Sequence, residues 1–361
     1  MCTFLSEENQ KNKLCSPVNI YMALGMLSEI TDGESRQEIL DVLGKNNREE
    51  LRKQASDVWN AQYRNDGATY IILANSLWLN DGLQYQRDTL ETLSSDFYAS
   101  SYSGVPGSPE LDLSFQNWLN EETGGLLNDQ IQNIKLTSDM VITLASALRY
   151  QAKWQTEFWP EQTKSGIFHG PKNNVEADFM HRSEDMHYFW GEHFGAVCLP
   201  MEAFGGGMWL ILPDEGFTPE QLSQDEQVHA LLETPEQWQQ NKNLIVNLSM
   251  PKFDVCADMD LKDGLKEMGI RQVFDMEKAN FDPLLKNPPT GVTPFLSKCS
   301  HAVRVMTDEE GVTAASFVEM EICGACEPPT DKIDFVLDRP FLFVIQSADG
   351  LPLFSGVVNE P

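Results

Sequence analysis

The spacing of apolar residues predicts helices mainly in the first third of the chain. After Ser16, apolar side chains recur three and four positions apart as far as Leu27, and a second such face ends at Gly44. The same spacing returns over residues 113–123 and again over residues 261–268. Because residues three and four apart lie on one face of a helix, we expect amphipathic helices in these four places.

Strands are predicted mostly in the second half of the chain, from runs rich in branched and aromatic residues. These runs occupy residues 69–79, 141–150, 195–200, 208–213, 244–250, 302–306, 335–337 and 341–346. Helices followed by strands, without a regular βαβ alternation, indicate an α+β fold with large sheets. Since neither a repeat nor a linker is visible, we expect residues 1–361 to form one large domain.

The charge of the chain narrows the classes of partner. The 361 residues include 55 acidic and 26 basic side chains, which gives a net charge of −29. Nucleic acids and anionic membranes attract cationic surfaces, so neither is an expected partner. A basic protein would be attracted by the same charge.

The beginning of the chain and its cysteines indicate in which compartment the protein could fold. Residues 1–8 have neither the basic end nor the apolar core of a secretory signal, and no apolar run approaches the roughly 18 residues that span a bilayer. Seven cysteines, an odd number, are widely spaced except for Cys323 and Cys326. This usage suits a chain that can fold in the reduced state.

The sequence carries no motif of a known catalytic site. We find no Gly-x-Ser-x-Gly elbow, phosphate loop, His-Glu-x-x-His pair or calcium loop. His181, His187 and His193 are six positions apart, a spacing that fits neither one helix face nor a known metal site. The glycine-rich stretch 203–207 leads into a predicted strand, so a tight turn is the better interpretation. We expect no enzymatic activity, no metal and no cofactor.

Cys323 and Cys326 are the one cysteine pair with the spacing of a redox couple or of half a zinc site. Zinc would need two further ligands at comparable spacing. A redox motif usually opens a helix, whereas Pro328 and Pro329 force extended backbone here. An exposed loop is therefore favoured, and a functional dithiol is kept as a hypothesis.

Residues 312–322 combine two features that conflict. Side chains at even positions are apolar or small and those at odd positions are mostly polar, which is the pattern of a strand with one buried face. The even set is Val312, Ala314, Ser316, Val318, Met320 and Ile322. Yet the residues on either side of this segment are typical of an exposed loop. Such a conflict marks functional or strained sites, although an ordinary edge strand followed by a turn is the alternative.

The whole chain resembles the serpin family. Five separated stretches carry the resemblance in the family's order: 12–44, 117–125, 146–158, 295–315, and 339–343 with 353–356. It implies a serpin fold, in which a large, mostly antiparallel sheet A is accompanied by sheets B and C. It also implies that the helices are mainly N-terminal and that a reactive-centre loop is exposed at about residues 309–330.

The resemblance also implies an inhibitor that works by changing its fold. A serine protease cuts the loop as a substrate and becomes an acyl-enzyme, and the cut loop then enters sheet A as a new strand, carrying the protease with it. Residues 312–325 would extend over about 45 Å, enough to cross a large sheet. The even-numbered side chains from Val312 to Ile322 are uncharged, so their burial leaves no unpaired charge.

Family spacing from Gly311 places the scissile bond at Ala325–Cys326. Pro328 and Pro329 fall where many serpins have prolines beyond the cut. Ala325 would suit a small, apolar primary pocket, as in elastase-like or subtilisin-like proteases. A cut after Gly324 or after Cys326 stays open.

The resemblance assigns further roles at the hinge. The hinge residues are Glu309, Glu310, Gly311, Val312, Thr313, Ala314 and Ala315. Val312 stands where the family usually has threonine or serine, and Thr313 where it has glutamate. Neither residue is charged or a proline, so insertion is not obviously blocked, while Phe317 is bulkier than expected.

A second set of assigned residues lies in the shutter and breach beneath the insertion site. This set is Ser16, Asn19, Ser146, Trp154 and His301. Ser146 stands where the family usually has asparagine, and Asn19 where serine is common. The exchange could preserve one hydrogen bond to His301.

We therefore expect a monomeric inhibitory serpin that forms a covalent acyl complex with an elastase-like or subtilisin-like serine protease. The main alternative is a non-inhibitory serpin that acts as a carrier, chaperone or storage protein. A third hypothesis is that a Cys323–Cys326 disulfide stiffens the loop and alters inhibition.

Two further expectations concern a charged surface and the start of the chain. Arg48, Arg52 and Lys53 are expected to be solvated surface rather than a heparin site. The chain begins inside what is normally the first helix of a serpin, so both secretion and a cytoplasmic location stay open.

Overall fold

Helices are concentrated before residue 132 in the computed structural model, which describes residues 2–7, 10–65, 69–202, 205–289, 293–312 and 330–361. The helices are α1 Cys2–Leu5, α2 Pro17–Glu29, α3 Gly33–Val42, α4 Arg48–Gln62, α5 Arg87–Asp96, α6 Pro109–Glu122, α7 Asn128–Ile131, α8 Pro219–Leu222, α9 Glu226–Glu233 and α10 Lys262–Met268. Short 3-10 turns cover Pro160–Gln162, Pro235–Gln237 and Gln272–Phe274. None of the helices in these ranges has the length and apolar character needed to cross a bilayer.

Four of the helices confirm the predictions from spacing, namely α2, α3, α6 and α10. Helix α6 shows how such a helix begins. The Ser108 side chain accepts a hydrogen bond from the Leu111 amide at the start of α6, and Pro109 supplies the fixed φ of a first helical residue. Helix α4 was not predicted because it is polar over most of its surface and buries only Leu51, Ala55 and Gln62.

The strands are divided between two sheets, and the chain passes from one sheet to the other several times. They are β1 Lys13–Cys15, β2 Arg64–Asn65, β3 Thr69–Asn80, β4 Ala99–Gly104, β5 Ile142–Lys153, β6 Lys164–His169, β7 Asn174–Trp190, β8 Phe194–Pro200, β9 Gly207–Pro213, β10 Asn241–Pro251, β11 Phe253–Asp260, β12 Ser300–Thr307, β13 Gly311–Val312, β14 Lys332–Val336, β15 Phe341–Gln346 and β16 Pro352–Val358. The prediction of an α+β fold is confirmed.

The larger sheet has the order β1-β16-β15-β9-β8-β7-β10-β14, with β6 also paired to β7. The long strand β7 joins regions expected as separate sheets B and C, because it pairs with β8 near its end and with β10 and β6 along the rest. The sequence analysis predicted no strand over residues 174–190, and the 17-residue β7 corrects that expectation. Strand β14 runs parallel to β10, whereas the other pairings in this sheet are antiparallel.

The second sheet has the order β11-β12-β13-β5-β3-β2, with β4 parallel to β3. Helix α2 contacts β5 of this sheet and β16 of the other, so it lies between the two sheets. Helix α6 covers the opposite face, where Phe115 and Trp118 pack edge-on against Trp78 of β3. This second sheet is the one that the sequence predicted as sheet A.

Candidate functional site

The two-residue strand β13 joins β12 to β5. Val312 pairs antiparallel with Thr307 of β12 and with Ala152 of β5, while Gly311 pairs with Lys153. In the part of the chain that the structure describes, β12 and β5 are linked in the sheet through β13 alone. We call the interval between the facing edges of these two strands, on the side of β13 toward Ile142, the slot.

Gly311 is required at the start of β13 by a close approach of backbone. A Cβ atom on this residue would lie 2.7 Å from Cα of Lys153 and closer still to the carbonyl oxygen of Ala152. Only glycine avoids that overlap. Val312, which follows, is 2% exposed and packs into the main core. The hinge therefore enters the sheet at β13 with the Val312 side chain buried.

A tight acidic turn connects β12 to β13. The Asp308 carboxylate accepts hydrogen bonds from the backbone amides of Glu310 and Gly311, at 2.9 and 3.1 Å. The buried Trp154, which directly follows β5, holds the same turn, because its indole Nε1 donates to the Asp308 carbonyl at 2.9 Å. Its backbone amide donates to the Glu310 carbonyl at 3.0 Å. Trp154, the residue assigned to the breach, thus contacts the turn that leads into β13.

Glu309 is the fixed point of the hinge. Its Oε1 accepts hydrogen bonds from Thr163 and from Lys252, each at 2.7 Å, and its carbonyl accepts from the Phe158 amide at 2.9 Å. Burial alone raises the pKa of Glu309, but the hydrogen bonds from Lys252 and Thr163 outweigh burial, so the pKa lies below its ordinary value. Neither partner could be predicted from local sequence, because both are distant from Glu309 along the chain.

The predicted shutter residues lie on both edges of the slot and on α2 beneath it. His301 is on β12, and its Nε2 accepts a hydrogen bond from the Ser16 amide at 2.9 Å. Burial lowers the pKa of His301 to about 4, which keeps the ring neutral and able to accept. Ser146 of β5 donates to Asn19 Oδ1 at 3.5 Å.

That last contact corrects one expectation from the sequence. By residue type the Ser/Asn exchange could preserve a hydrogen bond to His301, but in the structure Ser146 donates to Asn19 instead. The bond to His301 comes from the backbone of Ser16. A backbone donor does not depend on the side chains at the exchanged positions, which is why residue types alone could not predict it.

Several predicted residues lie outside the described part of the chain. They are Thr313, Ala314, Ala315, Cys323, Ala325 and Cys326. In the part that is described, no group of three or more His, Cys, Asp or Glu residues could hold a metal ion.

Two of the predicted surface cations make structural ion pairs. Arg52 donates to both carboxylate oxygens of the buried Glu29, at 2.9 and 2.6 Å. Arg48 lies 3.7 Å from the same carboxylate. Both arginines therefore pair with Glu29.

Comparison with known proteins agrees with this geometry. The family model described as "Serpin (serine protease inhibitor)" matches residues 1–361. Serpin-Z2B of Triticum aestivum is 25% identical over 367 residues, covering 98% of this chain and 91% of the relative. The native state of the thermophilic serpin tengpin has a TM-score of 0.86 at 23% identity, covering 100% of this chain and 91% of tengpin. Human thyroxine-binding globulin, crystallised with thyroxine, has a TM-score of 0.81 at 20% identity, covering 100% of this chain and 98% of the globulin.

Proposed function

Because the chain belongs to the serpin family, we propose that it inhibits serine proteases as a suicide substrate. The protease serine attacks the carbonyl carbon of Ala325, an ester forms, and the bond to Cys326 breaks. The new amine of Cys326 takes the proton that the serine gives up. The loop residues from Thr313 onward then enter the slot as a strand, and the ester-linked protease travels with them.

The observation that carries this proposal is the pairing of β13. Strand β13 already pairs with β5 at Gly311 and Val312, and with β12 at Val312. In an antiparallel ladder each further residue of the loop moves one residue back along β5 and along β12. On this register Val318 falls opposite both Ser146 and His301, and Ile322 falls opposite Ile142, the first residue of β5.

The same register supports the burial pattern read from the sequence. Directly paired residues point to the same face, and Val312 faces the core with Ala152. Even-numbered loop residues would therefore face the core, where Tyr150 and Leu148 lie. Burying Val318, Met320 and Ile322 there would contribute about 5–9 kcal/mol, at 1.5–3 kcal/mol for each side chain.

The bulky Phe317 also has a place on this register. It would fall opposite Ala147 of β5, which belongs to the apolar cluster of Trp78, Phe115 and Trp118 beneath α6. An aromatic side chain at this odd position would therefore meet apolar neighbours. The one odd-numbered residue that departs most from the family pattern is then compatible with insertion.

The proposed cleavage site at Ala325–Cys326 comes from family spacing and lies beyond the end of the inserted strand. With Ile322 opposite the start of β5, residues 323–325 would then form the tether between the sheet and the protease. A small side chain at Ala325 favours an elastase-like or subtilisin-like target. The net charge of −29 favours a basic member of that class.

The rival is a non-inhibitory serpin, a class that includes the thyroxine-binding structural neighbour. Incubation with pancreatic elastase separates the two. The proposal predicts a complex that survives boiling in SDS and a matching loss of protease activity. Cleavage of the loop with full elastase activity retained would favour the rival.

The redox hypothesis is tested in the same assay. If a Cys323–Cys326 disulfide regulates the loop, the inhibition rate differs between oxidised and reduced protein, and Cys323→Ser abolishes the difference. Equal rates in the unmodified chain dismiss the hypothesis.

A further inference from the structure

A small dish-shaped cavity, which we call the dish, lies on the outer face of the larger sheet where β7, β10 and β14 run side by side. Leu248 and Met250 of β10 belong to the core, so Asn247 and Ser249, which alternate with them, face away from it. The dish has a volume of about 410 Å³. It is lined mainly by His181, Ser183, Asn247, Ser249, Asp334 and Val336.

The register of the sheet arranges these side chains in two parallel rows across the three strands. One row is Ser183, Asn247 and Asp334, and the other is His181, Ser249 and Val336. Because strands lie about 4.8 Å apart and rise about 3.3 Å per residue, the floor of the dish measures about 10 by 7 Å. A floor of this size accommodates a single hexose ring with its hydroxyl groups.

The first row is hydrogen-bonded along its whole length. The Ser183 hydroxyl donates to Asn247 Oδ1 at 2.8 Å, and Asn247 Nδ2 donates to Asp334 Oδ1 at 2.7 Å. Within the described part of the chain, the second hydrogen of Asn247 Nδ2 and the Asp334 Oδ2 atom have no partner. A donor and an acceptor that are already fixed in place therefore lie side by side, which lowers the entropy cost of binding a ligand.

The second row adds neutral groups that can form hydrogen bonds. Burial, together with the charge of Lys164, lowers the pKa of His181. The His181 ring is therefore neutral at pH 7, with one nitrogen that donates and one that accepts. Ser249 adds a hydroxyl group, and Val336 adds an apolar surface that is 37% exposed.

The chemistry of the dish favours an uncharged ligand with several hydroxyl groups. The Asp334 carboxylate repels an anion, and Arg182, the sheet partner of the core residue Leu248, faces the other side of the sheet. A cation would meet one exposed carboxylate, whose attraction solvent screens. A hydroxyl group both donates and accepts, so two adjacent hydroxyls of a sugar can donate to Asp334 Oδ2 and accept from Asn247 Nδ2.

An exposed aromatic residue lies close to the dish. Trp159 is 67% exposed, and its carbonyl accepts a hydrogen bond at 2.8 Å from the amide of Gln162, which also lines the dish. The face of an indole ring is apolar and carries partial negative charge. It therefore attracts the C–H groups on one face of a sugar ring, which carry partial positive charge.

We propose that the dish binds an uncharged hexose, either free or at the end of a glycan. Asp334 and Asn247 bind two adjacent hydroxyl groups. His181 and Ser249 bind a third, and Trp159 packs against one face of the ring. This inference does not depend on the proposed function, because it needs neither a protease nor a cut loop. The net charge of −29 does not oppose a neutral glycan, whereas it repels a sulfated one.

The test titrates the intact protein with methyl α-mannoside, methyl β-glucoside and methyl β-galactoside, with binding measured by NMR. At least one of these sugars is expected to bind with a Kd of about 1 mM. Asp334→Ala removes the acceptor and Trp159→Ala removes the apolar face, and each should weaken binding at least about tenfold. Equal affinity in both variants and in the unmodified chain would overturn the proposal.

Two control variants match these substitutions outside the dish. Asp331→Ala removes a carboxylate that pairs with Lys242 and is not among the lining residues. Phe217→Ala removes another exposed aromatic residue, which stacks on His193. Both controls are expected to bind the sugar within about twofold of the unmodified chain. A loss in the controls equal to that in Asp334→Ala and Trp159→Ala would overturn the site.

Two charged probes test the class of ligand. Methyl β-glucuronide has the ring of the glucoside with an added carboxylate, and Asp334 should make it bind at least about fivefold more weakly. Ethylammonium carries a positive charge without hydroxyl groups and should not displace the sugar at equal concentration. Tighter binding of the glucuronide, or displacement by ethylammonium, would overturn the sugar site in favour of an ion site.

A glycoprotein separates the two sources of the hexose. A glycoprotein with neutral, mannose-rich glycans is compared with the same protein after enzymatic removal of its glycans. Binding of the glycosylated form alone supports a glycan carried by protein, and binding of the methyl glycosides alone supports a free sugar. Failure of the unmodified chain to bind the methyl glycosides and the glycoprotein would overturn the proposal.

Discussion

Lys252 Nζ lies 2.7 Å from Glu309 Oε1, and this contact ties the junction of β10 and β11 to the hinge. Thr163 donates to the same oxygen. The loop strand would have to continue from this fixed point into the slot. A stronger contact between Lys252 and Glu309 would therefore hold the hinge more firmly in the uncut chain.

We expect Lys252→Gln to weaken the hinge. Because the Lys252 side chain is 36% exposed, solvent screens the pair, and the loss should be about 1 kcal/mol in the free energy of unfolding. Urea denaturation of the intact protein measures it. Lys278→Gln is the matched control, since Lys278 and Asp275 form a more exposed pair and its loss should cost less. Equal effects of the two substitutions would contradict a special role for Lys252.

The pH dependence of stability should report on His301. Burial lowers its pKa from 6.5 to about 4 in the folded chain, so the unfolded chain binds the extra proton between these values. Stability should therefore fall as the pH drops from about 6.5 to 4, by roughly 3 kcal/mol from this group. Unfolding in urea across that range measures the slope.

Two variants test whether His301 causes this pH dependence of stability. His301→Gln removes the titrating group while keeping an acceptor for the Ser16 amide, so the slope should flatten. His169→Gln, at an exposed histidine, should leave it unchanged. A slope that is the same in His301→Gln and in the unmodified protein would show that other groups cause the loss.

The register of insertion predicts opposite effects of one charge on two faces of the loop. Ser316→Arg places an arginine among the residues expected to face the core, where an unpaired charge is strongly unfavourable. Elastase should then cut the loop and be released, with at least a tenfold smaller share of stable complex. Thr313→Arg adds the same charge on the other face and should retain most of the complex. Equal losses in both variants would contradict the predicted alternation.

The sequence predicted the elements whose apolar spacing is regular. Helix α2 was expected because its apolar residues recur at helical spacing, and strand β5 because residues 141–150 form a run rich in apolar and branched residues. Helix α5 was not predicted because it buries only Leu93. Strand β7 was not predicted because its exposed and buried faces exchange along the strand.

The site was predictable to the extent that it is local in sequence. The alternation of residues 312–322 was read from residue types, and beyond Val312 it stays a prediction because those residues lie outside the described part of the chain. The hinge role of Gly311 was predicted from the family resemblance. The contacts of Glu309 with Lys252 and Thr163 were not, because side chains distant in sequence meet only after the two sheets have formed. The hydrogen bond from the Ser16 amide to His301 was equally invisible, since the donor is backbone.

The central claim is that the uncut chain is held away from a more stable form, which one cut in the loop makes accessible. The most direct test is to cut the loop near Ala325 with catalytic elastase, remove the protease, and compare the melting temperatures of cut and intact protein. The apolar burial expected for residues 313–322 predicts a rise of roughly 10 °C or more after cutting. An unchanged or lower melting temperature in the cut protein would contradict the account.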